Sequence, residues 1–215
     1  MIKVLNLYAG IGGNRKLWKD VDVTAVEIEP KIAKIYQDFF SDDKVIIADA
    51  HQFLLEHFEE FDFIWSSPPC QSHSGTNHFL FGQGIRRYPD MKLYEEILFL
   101  RQWCKSLWVV ENVKPYYEPL IKAQECGRHL FWSNFSISKL EVEYDIGTMN
   151  RQASKLTQRK AIIREAQIPE LLDLHGLSNF DVPNKRQILR NTVLPKVGLH
   201  VFNMAFKDKQ KTLKQ

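Results

Sequence analysis

The chain contains 215 residues, of which 44% are hydrophobic and 12% aromatic, so it can bury a core and suits one domain with a small insertion. The net charge of only +3 excludes a uniformly basic nucleic-acid-binding chain, so any attraction to nucleic acid depends on local clusters. Three scattered cysteines exclude a disulfide framework, and charges interrupt the apolar stretches, so we expect a cytoplasmic protein without secretion signal or membrane span.

Short β-rich runs alternate with helical patterns along the first half of the chain. The predicted strands cover residues 3–7, 22–26, 45–48, 61–65 and 108–110. Helices are predicted over 30–40, beginning at Pro30, and over 91–106. The alternation fades after about Gly147, and an apolar helical pattern returns over 191–206. These elements predict an α/β fold with a parallel sheet covered on both faces.

Chemically distinctive residues follow all five predicted strands. Ligands of such sheets bind beyond the carboxyl ends of the strands, so we expect these residues to share one site. In chain order they are the glycine loop 8–13, Glu27, Asp49, the turn Pro68-Pro69-Cys70 and Glu111.

The first three of these groups suit a nucleotide-like ligand. The glycines allow a tight turn and a close backbone approach, and Glu27 is placed to accept hydrogen bonds from two ribose hydroxyls. Asp49 is similarly placed for an adenine amino group. A dinucleotide fingerprint requires a third glycine where this chain has Arg15, which disfavours NAD. A glycine turn without a ligand, beside surface carboxylates, is the alternative.

The remaining two groups suit covalent chemistry. Pro68 and Pro69 fix the backbone before Cys70, as a nucleophile that must meet its target carbon requires. Glu111 would emerge one strand away and could act as its acid partner. The alternative is a proline turn with an incidental cysteine and a surface glutamate.

Taken in order, these motifs resemble those of the DNA cytosine-5 methyltransferase family, over about residues 1–138 and 186–206. The matching segments are 6–13, 26–28, 48–49, 66–71, 111–113 and 189–195. The resemblance implies a Rossmann-like class I S-adenosylmethionine-dependent methyltransferase sheet with a small target-recognition insertion. The implied regions are a catalytic core over 1–138, a recognition region over 139–187, a segment completing the core over 188–206 and a basic tail over 207–215.

The resemblance also implies a role for each matched residue. Cys70 would attack C6 of cytosine, Glu111 would engage N3 and the amino group, and C5 would receive the methyl group of S-adenosyl-L-methionine. Within this cofactor, Glu27 would hold the ribose, and Ile28 and Asp49 would flank the adenine. The expected cofactor-binding residues are Leu7, Tyr8, Ala9, Gly10, Ile11, Gly12, Gly13, Glu27, Ile28, Asp49, Ala50, Pro68, Asn191, Thr192 and Val193.

One family element departs from the pattern. The family places arginines in a Gln-x-Arg-x-Arg-like strand that contacts cytosine, whereas the candidate strand here covers residues 127–134. Arg128 is the first choice for this catalytic contact. His129 is the alternative, because alternation along a strand sends the two side chains to opposite faces. An aromatic core strand with one exposed arginine also remains open.

Two segments are expected to contact double-stranded DNA. Residues 71–90 resemble the family's mobile catalytic loop, with Gln71, Ser74, Arg86 and Arg87 as the predicted contacts. In the recognition region, Arg151, Lys155 and Arg159 recur every four residues and predict a basic helix face, with Lys160 and Arg164 in a neighbouring row and Asn150, Gln152 and Gln158 as base contacts. A solvated helix face is the alternative. We expect no metal site.

The expected function is that of a monomeric DNA (cytosine-5-)-methyltransferase in a bacterial or phage-infected cell, with duplex DNA and a cognate restriction endonuclease as partners. A tRNA methyltransferase of the same chemistry is the first alternative, although the Cys-Phe-Thr signature of that branch is absent. The second is a catalytically silent relative that binds cofactor or DNA, which the presence of Cys70 and Glu111 disfavours. Arg15 disfavours a Rossmann oxidoreductase.

Overall fold

The computed structural model describes residues 1–140 and 171–207, in which seven strands form one sheet of order β3-β2-β1-β4-β5-β7-β6. The strands are β1 (Ile2–Leu7), β2 (Val21–Glu27), β3 (Lys44–Ile47), β4 (Phe63–Ser66), β5 (Leu107–Val113), β6 (Gln124–Cys126) and β7 (His129–Ser133). The helices are α1 (Pro30–Phe39), α2 (Ala50–His57), α3 (Asn77–Phe81), α4 (Lys92–Trp103), α5 (Lys185–Asn191) and α6 (Pro195–Ala205).

The five strands predicted from the sequence, β1 to β5, pair in parallel, which confirms the predicted α/β sheet. Strand β4 is buried along its whole length because side chains pack on both of its faces. The chain runs outward from β1 to β3 and then crosses to β4 and β5, so the strand order reverses between β1 and β4. In sheets of this kind, ligands bind at the carboxyl side of that reversal.

An antiparallel edge, which the sequence did not predict, completes the sheet. Strand β7 pairs antiparallel with β5, placing Phe131 opposite Glu111 and His129 opposite Val113. The strand predicted over 127–134 begins only at His129, because Gly127 has a φ of +60° and turns the chain away from β6.

Each face of the sheet carries its own apolar core. Phe63, Trp65 and Phe131 face one core, which receives α6 and several apolar residues between 171 and 194. Ile64 and Trp108 face the other, beneath α2 and α4. In the part of the chain that is described, no helix is long and apolar enough to cross a membrane.

Helix α6 is fixed against the loop that follows β1. Trp18 stacks on Phe202 with ring centroids 5.2 Å apart, and its indole N–H donates to the Gly198 carbonyl at 3.1 Å. A Cβ at Gly198 would lie 2.3 Å from the carbonyl oxygen of Asn14, so only glycine permits this approach. The C-terminal helix therefore determines where the residues preceding it meet the sheet.

The helical pattern predicted over 191–206 is interrupted. Helix α5 ends at Asn191, and α6 begins at Pro195, whose missing N–H suits the first turn of a helix. Thr192 and Leu194 have extended backbone conformations between the two helices. This short connection lies against Gly13 of the glycine loop.

Candidate active site

The turn that carries Cys70 is held from both sides. Before it, the Pro68 carbonyl accepts a hydrogen bond from the buried Asn112 side chain at 3.0 Å, which ties the turn to β5. After it, the Cys70 carbonyl accepts from the backbone N–H groups of His73 and Ser74 at 3.1 and 2.9 Å. With the preceding prolines restricting φ, these bonds fix the thiol in the manner that a nucleophile requires.

Cys70 and Glu111 interact electrostatically where β4 and β5 end. Burial raises the pKa of Glu111 to about 7, against the lowering effects of a Ser67 hydrogen bond and of the Arg128 charge. Burial and the charge of Glu111 raise the pKa of Cys70 to about 11, with Arg128 again opposing. At neutral pH the site therefore holds a protonated thiol beside a carboxyl group that keeps its proton to a much higher pH than an exposed glutamate does. Such a carboxyl group can donate a proton, and the thiol becomes a nucleophile once its own proton leaves.

Both candidates for the catalytic arginine role lie close enough to interact with the Glu111 carboxyl group. The Nε2 atom of His129 lies 3.7 Å from Oε1 of Glu111, and both side chains are buried. Burial, assisted by the charge of Arg128, lowers the pKa of His129 to about 3, so this imidazole is neutral. The expectation of opposite faces required both residues to lie in the strand, whereas Arg128 precedes β7. Of the two residues, Arg128 therefore carries the positive charge near Glu111, and His129 is neutral.

The glycine loop is shaped around Glu27. Gly10 has a φ of +54°, and its N–H donates to one oxygen of the Glu27 carboxylate at 2.9 Å. The other oxygen accepts from the Glu29 N–H at 2.9 Å, which holds the carboxylate at the mouth of the loop. A Cβ at Gly13 would lie 2.2 Å from the methyl group of Thr192, so the connection between α5 and α6 closes directly over the loop.

Two adjoining cavities of about 280 and 180 Å³ open along this edge of the sheet. Both are lined by Tyr8, Glu27, Ile28, Pro68 and Pro69. The larger cavity brings together many of the predicted site residues, namely Ala9, Gly10, Ile11, Gly13, Cys70, Gln71, Glu111, Asn191, Thr192 and Val193. The smaller is bounded by Asp49 and Ala50, the residues expected near adenine. The expected cofactor site and the expected nucleophile are thus continuous.

Two predicted cofactor residues line neither cavity in the described part of the chain. The Leu7 side chain lies in the core with no exposure, and its carbonyl accepts from the Ser67 N–H at 3.4 Å. Gly12 has a φ of +72°, and a Cβ there would lie 2.4 Å from the Phe40 ring. Both residues therefore support the glycine loop on the side that faces the protein interior, away from the cavities.

Sequence reasoning missed several lining residues. In the larger cavity they include Asn14, Ile32, Gln187 and Ile188, and in the smaller His73, Asp90, Lys92 and Leu93. Lys92 and Leu93 belong to the first turn of α4, which follows the loop after Cys70. The start of a helix at the carboxyl edge of a parallel sheet was the available signal for these two.

The predicted DNA contacts fall in two regions. Arg86 and Arg87 are exposed on the loop that follows Cys70. In the same loop, Ser74 forms a hydroxyl hydrogen bond with Thr76 at 3.0 Å, and the Gln71 carbonyl accepts from Asn77 at 3.0 Å. The other predicted contacts lie outside the described residues, namely Asn150, Arg151, Gln152, Lys155, Gln158, Arg159, Lys160 and Arg164.

Comparisons with known proteins identify the family and the fold. Residues 2–114 match the family model of C-5 cytosine-specific DNA methylases. The Entamoeba histolytica methyltransferase EhMeth superposes with a TM-score of 0.57 at 14% identity, covering 97% of this chain and 98% of EhMeth. A mutant of Spodoptera frugiperda DNMT2 gives a TM-score of 0.58 at 15% identity, covering 96% and 100% of the respective chains. No curated protein matches the chain. The predicted Rossmann-like methyltransferase fold is confirmed.

Proposed function

Because this chain belongs to the C-5 cytosine-specific DNA methylase family, we propose that it methylates C5 of a cytosine flipped out of duplex DNA, using S-adenosylmethionine and a covalent bond from Cys70 to C6. The main support for this proposal is the set of residues that line the larger cavity. Cys70 and Glu111 line the same 280 Å³ cavity as the glycine loop and the connection that covers it. A nucleophile, an acid and a cofactor site therefore open into one space.

The residues present fit S-adenosylmethionine. The Glu27 carboxylate suits the two ribose hydroxyls, and the smaller cavity offers Ile28, Pro68 and Leu93 as apolar surface for adenine. Asp49 reaches the same cavity although one of its oxygens already accepts from the Gln52 N–H at the start of α2. When bound, this group supplies a methyl group on a sulfonium, which is electrophilic without a metal ion.

In the proposed reaction, Cys70, Glu111 and Arg128 have different roles toward cytosine. Cys70 gives its proton to solvent and its sulfur forms a bond to C6, while protonated Glu111 transfers its proton to N3. The electron pair displaced from the C5–C6 double bond makes C5 nucleophilic, so C5 forms a bond to the methyl group as the bond from that methyl group to the sulfonium sulfur breaks, with S-adenosylhomocysteine as the leaving group. The C5 proton then leaves to solvent and the Cys70 thiolate is expelled, and N3 returns its proton to Glu111, which restores the aromatic ring as 5-methylcytosine. Arg128 stabilises the charge that develops during these steps.

The loop after Cys70 supplies the DNA contact in this proposal. A cytosine inside a duplex hides its C6 face, so the base must leave the stack before Cys70 can reach it. Arg86 and Arg87 are exposed on this loop and can meet phosphates, and Gly84 gives it a left-handed turn at a φ of +74°. Closure of the loop over the base also excludes water.

Methyl transfer to alternative nucleic acids tests the substrate. Purified protein is incubated with methyl-tritiated S-adenosylmethionine and either unmethylated genomic DNA or tRNA, with Cys70→Ala as the blank. We expect label in DNA, recovered as 5-methylcytosine after hydrolysis to nucleosides. Label in tRNA alone would overturn the DNA assignment, and label in neither substrate would overturn the proposed activity.

Substitution at the two neighbouring positions tests the assignment of the catalytic arginine. We expect Arg128→Met to lower kcat/KM for methyl transfer about 100-fold, because the variant removes a preorganised positive charge. His129→Gln keeps a neutral hydrogen-bonding group of similar reach and is expected to lower kcat/KM less than about 5-fold. Steady-state kinetics of both variants decide the matter, since the reverse order of effects would assign the role to His129.

A further inference from the structure

A buried carboxylate on α4 lies behind the site and takes no part in the chemistry described above. Glu96 has no exposed surface. One of its oxygens accepts from the Tyr8 hydroxyl at 2.6 Å and contacts Nδ1 of His51 at 3.1 Å. The other accepts from the Ser66 hydroxyl at 2.6 Å. A carboxylate is expensive to bury, and these three partners make the burial possible.

The three partners belong to three different segments that form the site. Tyr8 follows β1 and lines both cavities. Ser66 ends β4, opposite Leu7 in the register of the sheet, and leads directly into the turn of Cys70. His51 is in the first turn of α2, next to the smaller cavity. Glu96 therefore bridges the adjacent ends of β1 and β4, where the strand order reverses.

Two further features concern the conformation of Tyr8 and the charge of His51 in this network. Tyr8 has a φ of +54°, a conformation that is unfavourable for residues other than glycine and needs support from its surroundings. The hydroxyl bond to Glu96 holds the far end of this side chain. The hydrogen bond to Glu96 raises the pKa of the His51 imidazole against the lowering effect of burial, so the fold favours the protonated form of His51 beside this carboxylate. Its other nitrogen lies 3.5 Å from the more exposed Glu95.

We propose that Glu96 is a positioning residue that sets the separation between the cofactor loop, through Tyr8, and the nucleophile turn, through Ser66. This inference rests on the proposed function, because it assigns the two loops to the methyl donor and the methyl acceptor. Glu96 touches neither reactant and acts by holding both loops in register. Its loss displaces one loop relative to the other, so that binding and chemistry both deteriorate.

Glu96→Gln and the matched variant Glu95→Gln provide the first test. Glutamine at 96 keeps the size but has one acceptor oxygen instead of two, so it cannot accept from Tyr8 and Ser66 as the carboxylate does. We expect Glu96→Gln to weaken S-adenosylmethionine binding about 10-fold, measured by calorimetry, and to lower kcat about 10-fold. Glu95→Gln changes a neighbouring carboxyl group that is mostly exposed and reaches only His51 of the network, so it is expected to alter both quantities less than 2-fold.

A double-mutant cycle separates positioning from general stability. Tyr8→Phe removes only the hydroxyl, and we expect it to weaken cofactor binding about 5-fold in the wild-type background but less than 2-fold in Glu96→Gln. If Glu96→Gln does not fold, the cycle of Tyr8→Phe with Ser66→Ala replaces it, with coupling expected between the two. Independent effects in either cycle would overturn the role of Glu96.

The outcomes also distinguish this inference from the proposed function. If the wild-type protein binds no S-adenosylmethionine, the proposed function fails. If the wild-type protein binds cofactor and transfers methyl groups, but Glu96→Gln does so equally well, only the role of Glu96 is wrong.

Discussion

Replacing Cys70 by serine is expected to lower methyl transfer about 10⁴-fold or more, because the thiolate is the nucleophile in the proposed mechanism. The effect should appear in kcat, since Cys70 contacts the cytosine ring rather than the adenosyl part of the cofactor. Calorimetry should show that Cys70→Ser binds S-adenosylmethionine within about 3-fold of wild type, as a change of one atom in an otherwise intact cavity allows. Single-turnover transfer to unmethylated DNA measures the loss.

Trapping with 5-fluorocytosine tests the covalent step itself. After methyl transfer a fluorine cannot leave C5 as a proton does, so the Cys70 adduct persists and survives denaturation. The wild-type protein and Cys104→Ser should both form the adduct, because Cys104 is a similarly half-buried thiol away from the two cavities. Cys70→Ser should form none. An adduct that persists in Cys70→Ser would show that another residue is the nucleophile.

The strand ends were predictable from the sequence because their information is local. Each predicted strand is followed by a chemically distinctive residue, although β2 and β5 extend to include Glu27 and Glu111, and a parallel sheet brings such residues to one edge. Glu27, Cys70 and Glu111 consequently line the same cavity, as expected. The order of these residues in the chain, and the strands and helices between them, were sufficient to predict that they share a cavity.

Residues whose placement depends on tertiary contacts were not predictable in the same way. Whether Arg128 and His129 both belong to β7 depended on where that strand begins. Gly127 determines this point through its left-handed turn. Glu95 and Glu96 are chemically identical neighbours in the sequence, and packing alone makes the second a buried partner of Tyr8. A weak signal existed, since Glu96 lies at helical spacing from Leu93 and Leu100 on the buried stripe of α4.

The pKa of Glu111 links activity to stability. Its value rises to about 7 in the folded protein from the ordinary value of 4.5, so the fold favours the neutral form. The stability that this preference gives is fully present below pH 4.5 and is lost as the pH rises through 7. The site thus retains a carboxyl group that destabilises the fold at the pH at which the proposed mechanism uses it as an acid.

Glu111→Gln is therefore expected to lose activity while gaining stability at alkaline pH. We expect kcat to fall about 10³-fold, because the amide cannot give a proton to N3. At pH 8 the variant should exceed the wild type in free energy of unfolding by up to about 3 kcal/mol, and at pH 4.5 the difference should vanish. Urea unfolding at the two pH values measures this, and a difference independent of pH would contradict the raised pKa.

The same substitution should make Cys70 more reactive toward a small reagent. The charge of Glu111 helps to raise the pKa of the thiol to about 11, so its removal lowers that pKa and increases the thiolate fraction. Iodoacetamide at pH 8 should alkylate Cys70 faster in Glu111→Gln than in the wild type, as followed by peptide mass spectrometry, with Cys104 as the internal reference. A more reactive thiol in a less active enzyme would separate the two proposed roles of Glu111. Without substrate, its carboxyl group lowers the thiolate fraction of Cys70. With substrate, it activates the cytosine that Cys70 attacks. Equal alkylation rates would mean that Glu111 acts on cytosine alone.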